Sequence, residues 1–183
     1  MKNKEAKRKG PVGVALSWIF YIAAVLVLAF VLVTFVGQRT VVSGISMYPT
    51  LDDGDQLIVD KLTYQFRDPR RFEVVVFPFQ YQEDTYYIKR VIGLPGETVQ
   101  IADGVITING QILSEDYGWE KMENEGLAFD PITLGEDEYF VLGDNRNNSS
   151  DSREPSVGNV EKGTIIGKAW LKIWPLNEAG FVE

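Results

Sequence analysis

Hydrophobic and polar positions divide the chain into one long apolar segment followed by short alternating stretches. No charged residue occurs from Gly10 to Gln38, and residues 14–36 are apolar almost throughout. A helix of that length rises about 34 Å, enough to cross a hydrocarbon core of about 30 Å. The pattern therefore predicts a transmembrane helix over 14–36.

Beyond residue 37, the apolar residues occur in short runs bounded by turn signals. They alternate in ETVQI and GVITI, which is typical of hairpin strands with one face on a core, and Asp103-Gly104 and Asn109-Gly110 are hairpin-turn dipeptides. Strand composition also occurs at 73–79, 85–94 and 138–142. Residues 114–130 are acidic and loosely patterned, which indicates a loop. The sequence predicts a mostly β fold, a compact antiparallel β-sheet domain over 37–183.

The distribution of charge assigns the two ends of the apolar segment to different sides of a membrane. The first ten residues contain five basic side chains and one acidic one, whereas the remainder contains 13 basic and 25 acidic residues. A basic flank marks the cytoplasmic side, so residues 1–13 are expected to be a cytoplasmic tail and 37–183 to be extracytoplasmic. A cleavable secretory signal and a buried core helix are the alternatives. The domain has no basic stripe, which argues against a nucleic-acid partner.

The chain contains neither cysteine nor histidine. The first absence excludes disulfides and thiolate chemistry. The second excludes Ser-His-Asp and Cys-His arrangements and removes the commonest metal ligand. If the protein is a hydrolase, its proton acceptor is a carboxylate, a phenol or an amine.

The stretch TYYIKRVIGLPG places two charged residues, Lys89 and Arg90, in a run rich in aromatic and β-branched residues. Neighbours on a strand face opposite sides, so at least one of the two is expected to face inward. Burial can lower a lysine pKa by up to about 3–5 units, and each unit makes the neutral amine tenfold more abundant. Lys89 is therefore a candidate proton acceptor, and an edge-strand lysine that deters sheet pairing is the alternative.

Two polar stretches are further candidates for a site. SGISMYPTLDDGD has the composition of a tight, exposed turn that carries a serine, although such composition is also common in ordinary loops. GDNRNNSSDSR directly follows a predicted strand and is by default a solvated loop. Within it, Asp151 and Arg153 are able to pair, and a serine hydroxyl is able to orient an uncharged amine.

Taken together, in this order and behind one apolar segment, these stretches resemble the type I signal peptidases of peptidase family S26. These are membrane-bound serine proteases that remove signal peptides from exported proteins. SGISMYPTL is similar to the nucleophile motif, DQLIVDKLTY to the following strand, RFEVVVFPF and YYIKRVIGLPGE to the lysine motif, and VLGDNRNNSSDSR to the last block. The resemblance covers nearly the whole chain. It is Gram-positive-like, because Gly44 stands where the Gram-negative pattern has a serine.

The resemblance implies a role for each matching residue. Ser46 is implied as the nucleophile, with its backbone N–H among the oxyanion donors, and Lys89 as the general base. The Ser149 hydroxyl would orient the lysine amine, and Asp151 with Arg153 would form a supporting ion pair. The pockets for small residues at −3 and −1 of the substrate would be lined by Val42, Met47, Leu51, Tyr87 and Ile88.

The implied function is the removal of N-terminal signal peptides from secretory preproteins, without a metal or organic cofactor. The implied location is the plasma membrane, where a single span would hold the enzyme in the lipid bilayer. Two alternatives remain. One is a membrane-anchored β domain that binds peptides without cutting them, and the other is a self-cleaving Ser/Lys protease of the SOS-repressor type.

Overall fold

The computed structural model describes residues 11–31 and 37–183, and the chain divides into two compact units at residue 37. Helix α1 covers Pro11–Val31. Residues 32–36 of the predicted span and residues 1–10 of the predicted tail lie outside the described residues. Among the residues described, no helix combines the length and the hydropathy needed to cross a membrane.

The second unit is built from short strands with little helix. Its elements are β1 (Gly37–Val41), β2 (Gln56–Asp60), α2 (Thr63–Phe66), β3 (Val74–Pro78), β4 (Tyr86–Gly93), β5 (Thr98–Ala102), β6 (Val105–Ile108), β7 (Gln111–Ile112), β8 (Ile132–Thr133), β9 (Glu138–Leu142), β10 (Val160–Glu161), β11 (Gly167–Trp174) and β12 (Gly180–Phe181). The mostly β prediction is confirmed.

All strand pairings in residues 37–183 are antiparallel, as predicted. Within that range, eight strands form one sheet in the order β1-β2-β11-β3-β4-β9-β10, with β12 paired to β11. A second sheet of four strands has the order β7-β6-β5-β8. Its β5–β6 hairpin turns at Asp103-Gly104, where both residues have the positive φ that this turn requires.

The centre of the larger sheet is buried on both faces. Val74 and Val76 of β3 enter one apolar cluster, whereas Val75 and Phe77 enter another. Strand β4 is covered in the same way, because Ile88 on one face and Val91 on the other enter the same two clusters. Both of its charged residues are therefore buried: Lys89 is 3% exposed and Arg90 is 0% exposed.

The acidic segment 114–130 packs against the polar loop that follows β9. Glu115 forms an ion pair with Arg146 at 2.7 Å, and the Asn124 carbonyl accepts a hydrogen bond from Arg153 at 2.9 Å. The Trp119 N–H donates to the carbonyl of Asp144 at 3.2 Å. The predicted loop is thus fixed onto residues 143–153 and supports them from outside.

Candidate active site

The turn that carries Ser46 is closed by hydrogen bonds at its base. The Val42 N–H donates to the Asp55 carbonyl at 2.8 Å, and the Gly54 N–H donates to the Val42 carbonyl at 3.0 Å. Inside the turn, Gly44 has a φ of 94°, which favours glycine, and its N–H donates to Asp53 Oδ1 at 2.8 Å. These contacts fix the backbone that leads to Ser46.

The polar loop after β9 holds the same turn from the other side. Asn145 donates from its backbone N–H to the Ser46 carbonyl at 3.0 Å and from Nδ2 to the Ile45 carbonyl at 3.1 Å. Gly143 lies so close that a Cβ there would clash with the Ser149 hydroxyl and the Ser46 carbonyl. The loop and the serine turn therefore form one closely packed unit.

Lys89 extends from the central strand β4 to the serine. It stands opposite Val75 in the register and on the same face as Tyr87 and Val91, beside an apolar cluster. Its Nζ donates to Ser46 Oγ at 2.8 Å and to the Ile88 carbonyl at 3.0 Å. The Tyr87 ring centroid lies 4.9 Å from Nζ. The structure thus brings together the two residues that the sequence analysis predicts as nucleophile and base.

The surroundings of Lys89 favour its neutral form. Burial lowers the pKa of the amine from 10.5 to about 8, although the carboxylates of Asp151, Asp144 and Glu154 act in the opposite direction. With this pKa, roughly a fifth of the amine is neutral at pH 7.4, compared with about 0.1% for an exposed lysine. The lysine is therefore able to accept a proton from a hydroxyl that lies within hydrogen-bond distance.

A second buried charge, Arg90, points to the opposite face of β4 and is fully paired. Its Nε and Nη2 donate to the two carboxylate oxygens of Asp144 at 2.8 and 2.7 Å, and neither side chain is exposed. Thr50 donates to the same carboxylate at 2.5 Å. The guanidinium also lies 3.7 Å from the centroid of the Tyr117 ring. This pair links β4 to the loop that holds Ser46.

Asp151 and Arg153, which the sequence analysis predicts as a pair, do form a buried two-point ion pair. Arg153 Nε and Nη2 donate to the Asp151 carboxylate at 2.8 and 2.9 Å. Asp151 Oδ2 also accepts from the Gly143 N–H at 3.0 Å. The Ser149 Oγ is buried and has no hydrogen-bond partner within the described part of the chain. Its bond to the lysine amine stays a prediction.

A groove of about 540 Å³ opens beside Ser46 and Lys89. Four of the five residues predicted to contact substrate line it, and the fifth, Leu51, is fully buried in the apolar cluster beneath. The four are Val42, Met47, Tyr87 and Ile88. The other lining residues are Thr40, Val41, Ser43, Gly44, Ile45, Val76, Asp84, Thr85, Tyr86, Asn148 and Ser150.

Two unpaired strand edges border this groove. Strand β1 is the terminal strand of its sheet and pairs only with β2 among the described strands. Strand β9 pairs with β4 from Arg90 onward, so Tyr86–Lys89 have a strand partner on the β3 side alone within residues 37–183. In chain order, β1 is followed by the turn that carries Ser46, and residues 86–88 of β4 are followed by Lys89. Both edges leave backbone groups available to an extended peptide.

One further donor is available at the end of the groove. The Ser46 N–H makes no hydrogen bond within residues 37–183 and belongs to the predicted nucleophile. Such a donor is suited to stabilise an oxyanion that forms at a carbonyl attacked by Oγ. Among the described residues, no group of three acidic side chains is arranged to hold a metal ion.

Sequence reasoning missed three residues that hold the site together: Asp144, Asn145 and Asp53. The only available signal for Asp144 was indirect, because a second buried charge in β4 requires a carboxylate partner in another segment. Asn145 and Asp53 act on backbone groups, and the polar composition of their loops does not distinguish such contacts from solvated turns.

The chain is similar to known proteins of one family. The family model described as signal peptidase, peptidase S26, matches residues 15–174. The chain is 42% identical over 161 residues to signal peptidase I of Leptolyngbya laminosa, an alignment that covers 84% of this chain and 77% of that one. It is 36% identical over 183 residues to signal peptidase I T of Bacillus subtilis strain 168, covering 96% and 94% of the two chains.

A solved structure is also similar. The crystal structure of a signal peptidase I from Enterococcus faecalis V583 is 37% identical, with a TM-score of 0.47, and the match covers 56% of this chain and 97% of that one. The family model spans most of the residues, and each of the two sequence relatives is aligned over more than two thirds of its length. The chain therefore belongs to the signal peptidase family, peptidase S26.

Proposed function

We propose that Ser46 and Lys89 perform the peptide-bond hydrolysis of this signal peptidase, a serine endopeptidase. The observation that carries the proposal is the 2.8 Å contact between Lys89 Nζ and Ser46 Oγ. Burial and a pKa of about 8 support the role of the amine as general base. With no histidine in the chain, the amine does the work that imidazole does in a Ser-His-Asp triad.

The reaction follows from the positions of these groups. Neutral Lys89 takes the proton of the Ser46 hydroxyl while Oγ attacks the scissile carbonyl carbon, and the carbonyl oxygen becomes an oxyanion beside the Ser46 N–H. Collapse of this intermediate breaks the C–N bond as Lys89 returns the proton to the leaving amine. Water, deprotonated by the same amine, then hydrolyses the ester that links the acyl group to Ser46.

The groove suits a substrate in extended conformation. A peptide between β1 and residues 86–89 of β4 would run parallel to both edges and bond to their backbone groups, as in β-strand addition. Side chains of Val42, Met47, Tyr87 and Ile88 line its walls, and small substrate side chains would pack against them. We therefore assign to this groove the residues at −3 and −1 of secretory preproteins.

The sequence supports a membrane anchor for this enzyme. Residues 14–36 carry no charge, and five basic residues precede them. We propose that this segment spans the plasma membrane once, with residues 1–13 in the cytoplasm and 37–183 outside it. The substrate of a signal peptidase carries an apolar segment of its own, so enzyme and substrate would meet at one lipid bilayer.

The function is tested by cleavage of a preprotein in detergent. We expect the parent chain to release a shortened product, and Ser46→Ala and Lys89→Ala each to lose this activity. Lys89→Arg should be equally inactive, because a guanidinium keeps its proton at working pH. Ser114→Ala and Lys121→Ala are matched controls, since both residues are exposed and lie outside the groove.

Circular dichroism of each variant distinguishes a loss of activity from a loss of folded structure. Cleavage above background by folded Ser46→Ala or Lys89→Ala would exclude the proposed roles. A parent chain that binds the preprotein and leaves it intact would instead support a peptide-binding domain without catalysis.

A further inference from the structure

Two charged residues line the groove, and only one of them belongs to the proposed catalytic pair. Its charged lining residues are Lys89, beside Ser46, and Asp84, at the far end. Asp84 is exposed and forms no hydrogen bond or ion pair within the described residues. The basic side chain of Arg39 on β1 donates to Gln56 and does not line the groove.

Hydrogen bonds of the turn between β3 and β4 fix the backbone at Asp84. The turn between β3 and β4 is closed by hydrogen bonds from the Phe79 N–H to the Thr85 carbonyl at 2.8 Å and from the Gln82 N–H to the Phe79 carbonyl at 3.3 Å. Within this turn Asp84 has a φ of 57°, a left-handed conformation that aspartate and asparagine adopt more readily than most residues. The carboxylate is thus held at the groove by a tight turn.

The location of Asp84 just before β4 indicates which part of a substrate lies near its carboxylate. Asp84 precedes Lys89 by five residues and lies in the turn, two residues before β4 begins at Tyr86. A peptide that runs parallel to β4, with its scissile carbonyl at Ser46, rises at the same rate. With residue −1 beside Lys89, residue −4 lies beside Tyr86, the first residue of β4, and residues −5 and −6 meet the turn that carries Asp84.

We propose that Asp84 is a specificity-determining residue that favours basic over acidic side chains at positions −5 and −6 of the preprotein. The inference rests on the proposed function, because it assumes that the groove holds the residues before the scissile bond. A carboxylate without a partner attracts a lysine or arginine placed opposite it and repels a glutamate. Since the site is exposed, the effect is modest and weakens with salt.

The test uses the full chain in detergent and three peptides that differ only at −5 and −6, where both residues are Lys, Gln or Glu. We expect kcat/KM for the Lys peptide to exceed that for the Glu peptide by about two- to tenfold at low ionic strength. This ratio should fall towards one in Asp84→Asn and in Asp84→Gly, both of which tolerate the positive φ. Because each ratio is measured within one variant, a general change in activity cancels.

Glu83→Gln is the matched control, because it removes the neighbouring carboxylate, which does not line the groove, and should keep the parent ratio. A parent ratio near one, or a parent-like ratio in both Asp84 variants, would overturn the inference. The Gln peptide tests the proposed function separately from the role of Asp84. If the parent chain cleaves it and Ser46→Ala does not, the proposed function stands whatever the ratio shows.

Discussion

At the scale of single residues, the site depends on how far Lys89 is removed from water. The sequence predicted this residue because the chain has no histidine and because aromatic and β-branched neighbours surround the lysine. The structure adds what a strand pattern does not contain: the Val75 partner across the sheet and the Tyr87 ring near Nζ. The burial of Arg90 was not predictable in the same way, because it depends on which segment covers the second face of β4.

The pH dependence of cleavage should follow the titration of Lys89. Because the pKa of the amine is about 8, kcat/KM should rise close to tenfold per pH unit below about pH 7 and level off above about pH 9. Initial rates on one peptide across this range measure the profile. A rate that stays constant between about pH 6 and pH 9 is incompatible with an amine base.

The free energy of unfolding should also depend on pH through the titration of Lys89. Between about pH 8 and 10.5 the unfolded chain keeps the Lys89 proton and the folded chain loses it, so the free energy of unfolding rises with pH through this window. Lys89→Met lacks the buried charge and should be more stable than the parent at pH 7. This advantage should shrink by roughly 2 to 3 kcal/mol between pH 7 and pH 10.

Urea unfolding of both chains at the two pH values gives the comparison. Other ionisable groups titrate alike in parent and variant, so the difference reports on Lys89. An advantage of Lys89→Met that does not change with pH would show that the amine keeps an ordinary pKa.

At the scale of elements, β4 is the strand on which the site is built. β4 was predictable from its aromatic and β-branched composition, and the β5–β6 hairpin from its alternating apolar residues and the turn dipeptide Asp103-Gly104. Strands β1 and β11 were not predicted. β1 lies directly after the apolar segment, and Lys168 and Lys172 interrupt the apolar residues of β11. Lys172 is buried only because Asp55 pairs with it at 2.7 Å, a contact that connects residues 117 positions apart.

The Arg90–Asp144 pair should be essential to the link between β4 and the serine turn. Asp144→Ala would leave Arg90 buried without its partner, so we expect a loss of about 3–5 kcal/mol in the free energy of unfolding. Activity should fall as well, because the adjacent Asn145 holds the Ser46 carbonyl. Chemical denaturation measures the loss of stability.

Asp68→Ala is the control for this prediction, because Asp68 pairs with Lys162 at an exposed site. Removing that pair should change stability little. Equal effects of the two substitutions would show that the buried pair has no special structural role.

At the scale of the whole molecule, the proposed catalytic groups and the residues that support them all belong to one of the two compact units. Ser46, Lys89 and the loop 143–153 lie within residues 37–183, which have their own apolar clusters. A mostly β domain after an apolar segment was predictable from hydropathy alone. The joining of Ser46 to Lys89, 43 positions apart, was supplied by family resemblance, because local patterns do not specify long-range pairs.

A chain restricted to residues 37–183 should therefore fold and cleave short peptides in solution. We expect its kcat/KM on a peptide to lie within about tenfold of the full chain, since no residue of the groove is removed. Cleavage of a preprotein embedded in lipid vesicles should fall much further, because the proposed anchor is absent. A fragment that does not fold would show that the first unit contributes to the core.

The two unpaired strand edges beside the groove also restrict the shape of anything that enters it. The backbone amide and carbonyl groups of a helix bond to each other and are not available to flanking strands. A helical segment must therefore unwind before it binds between them. With the proposed strand addition, substrate unwinding is a step in recognition, and residues that weaken a helix just ahead of the cleavage point should speed entry. Conversely, a rigid strand-like compound with donors and acceptors along both sides would occupy the groove without this cost and block the enzyme.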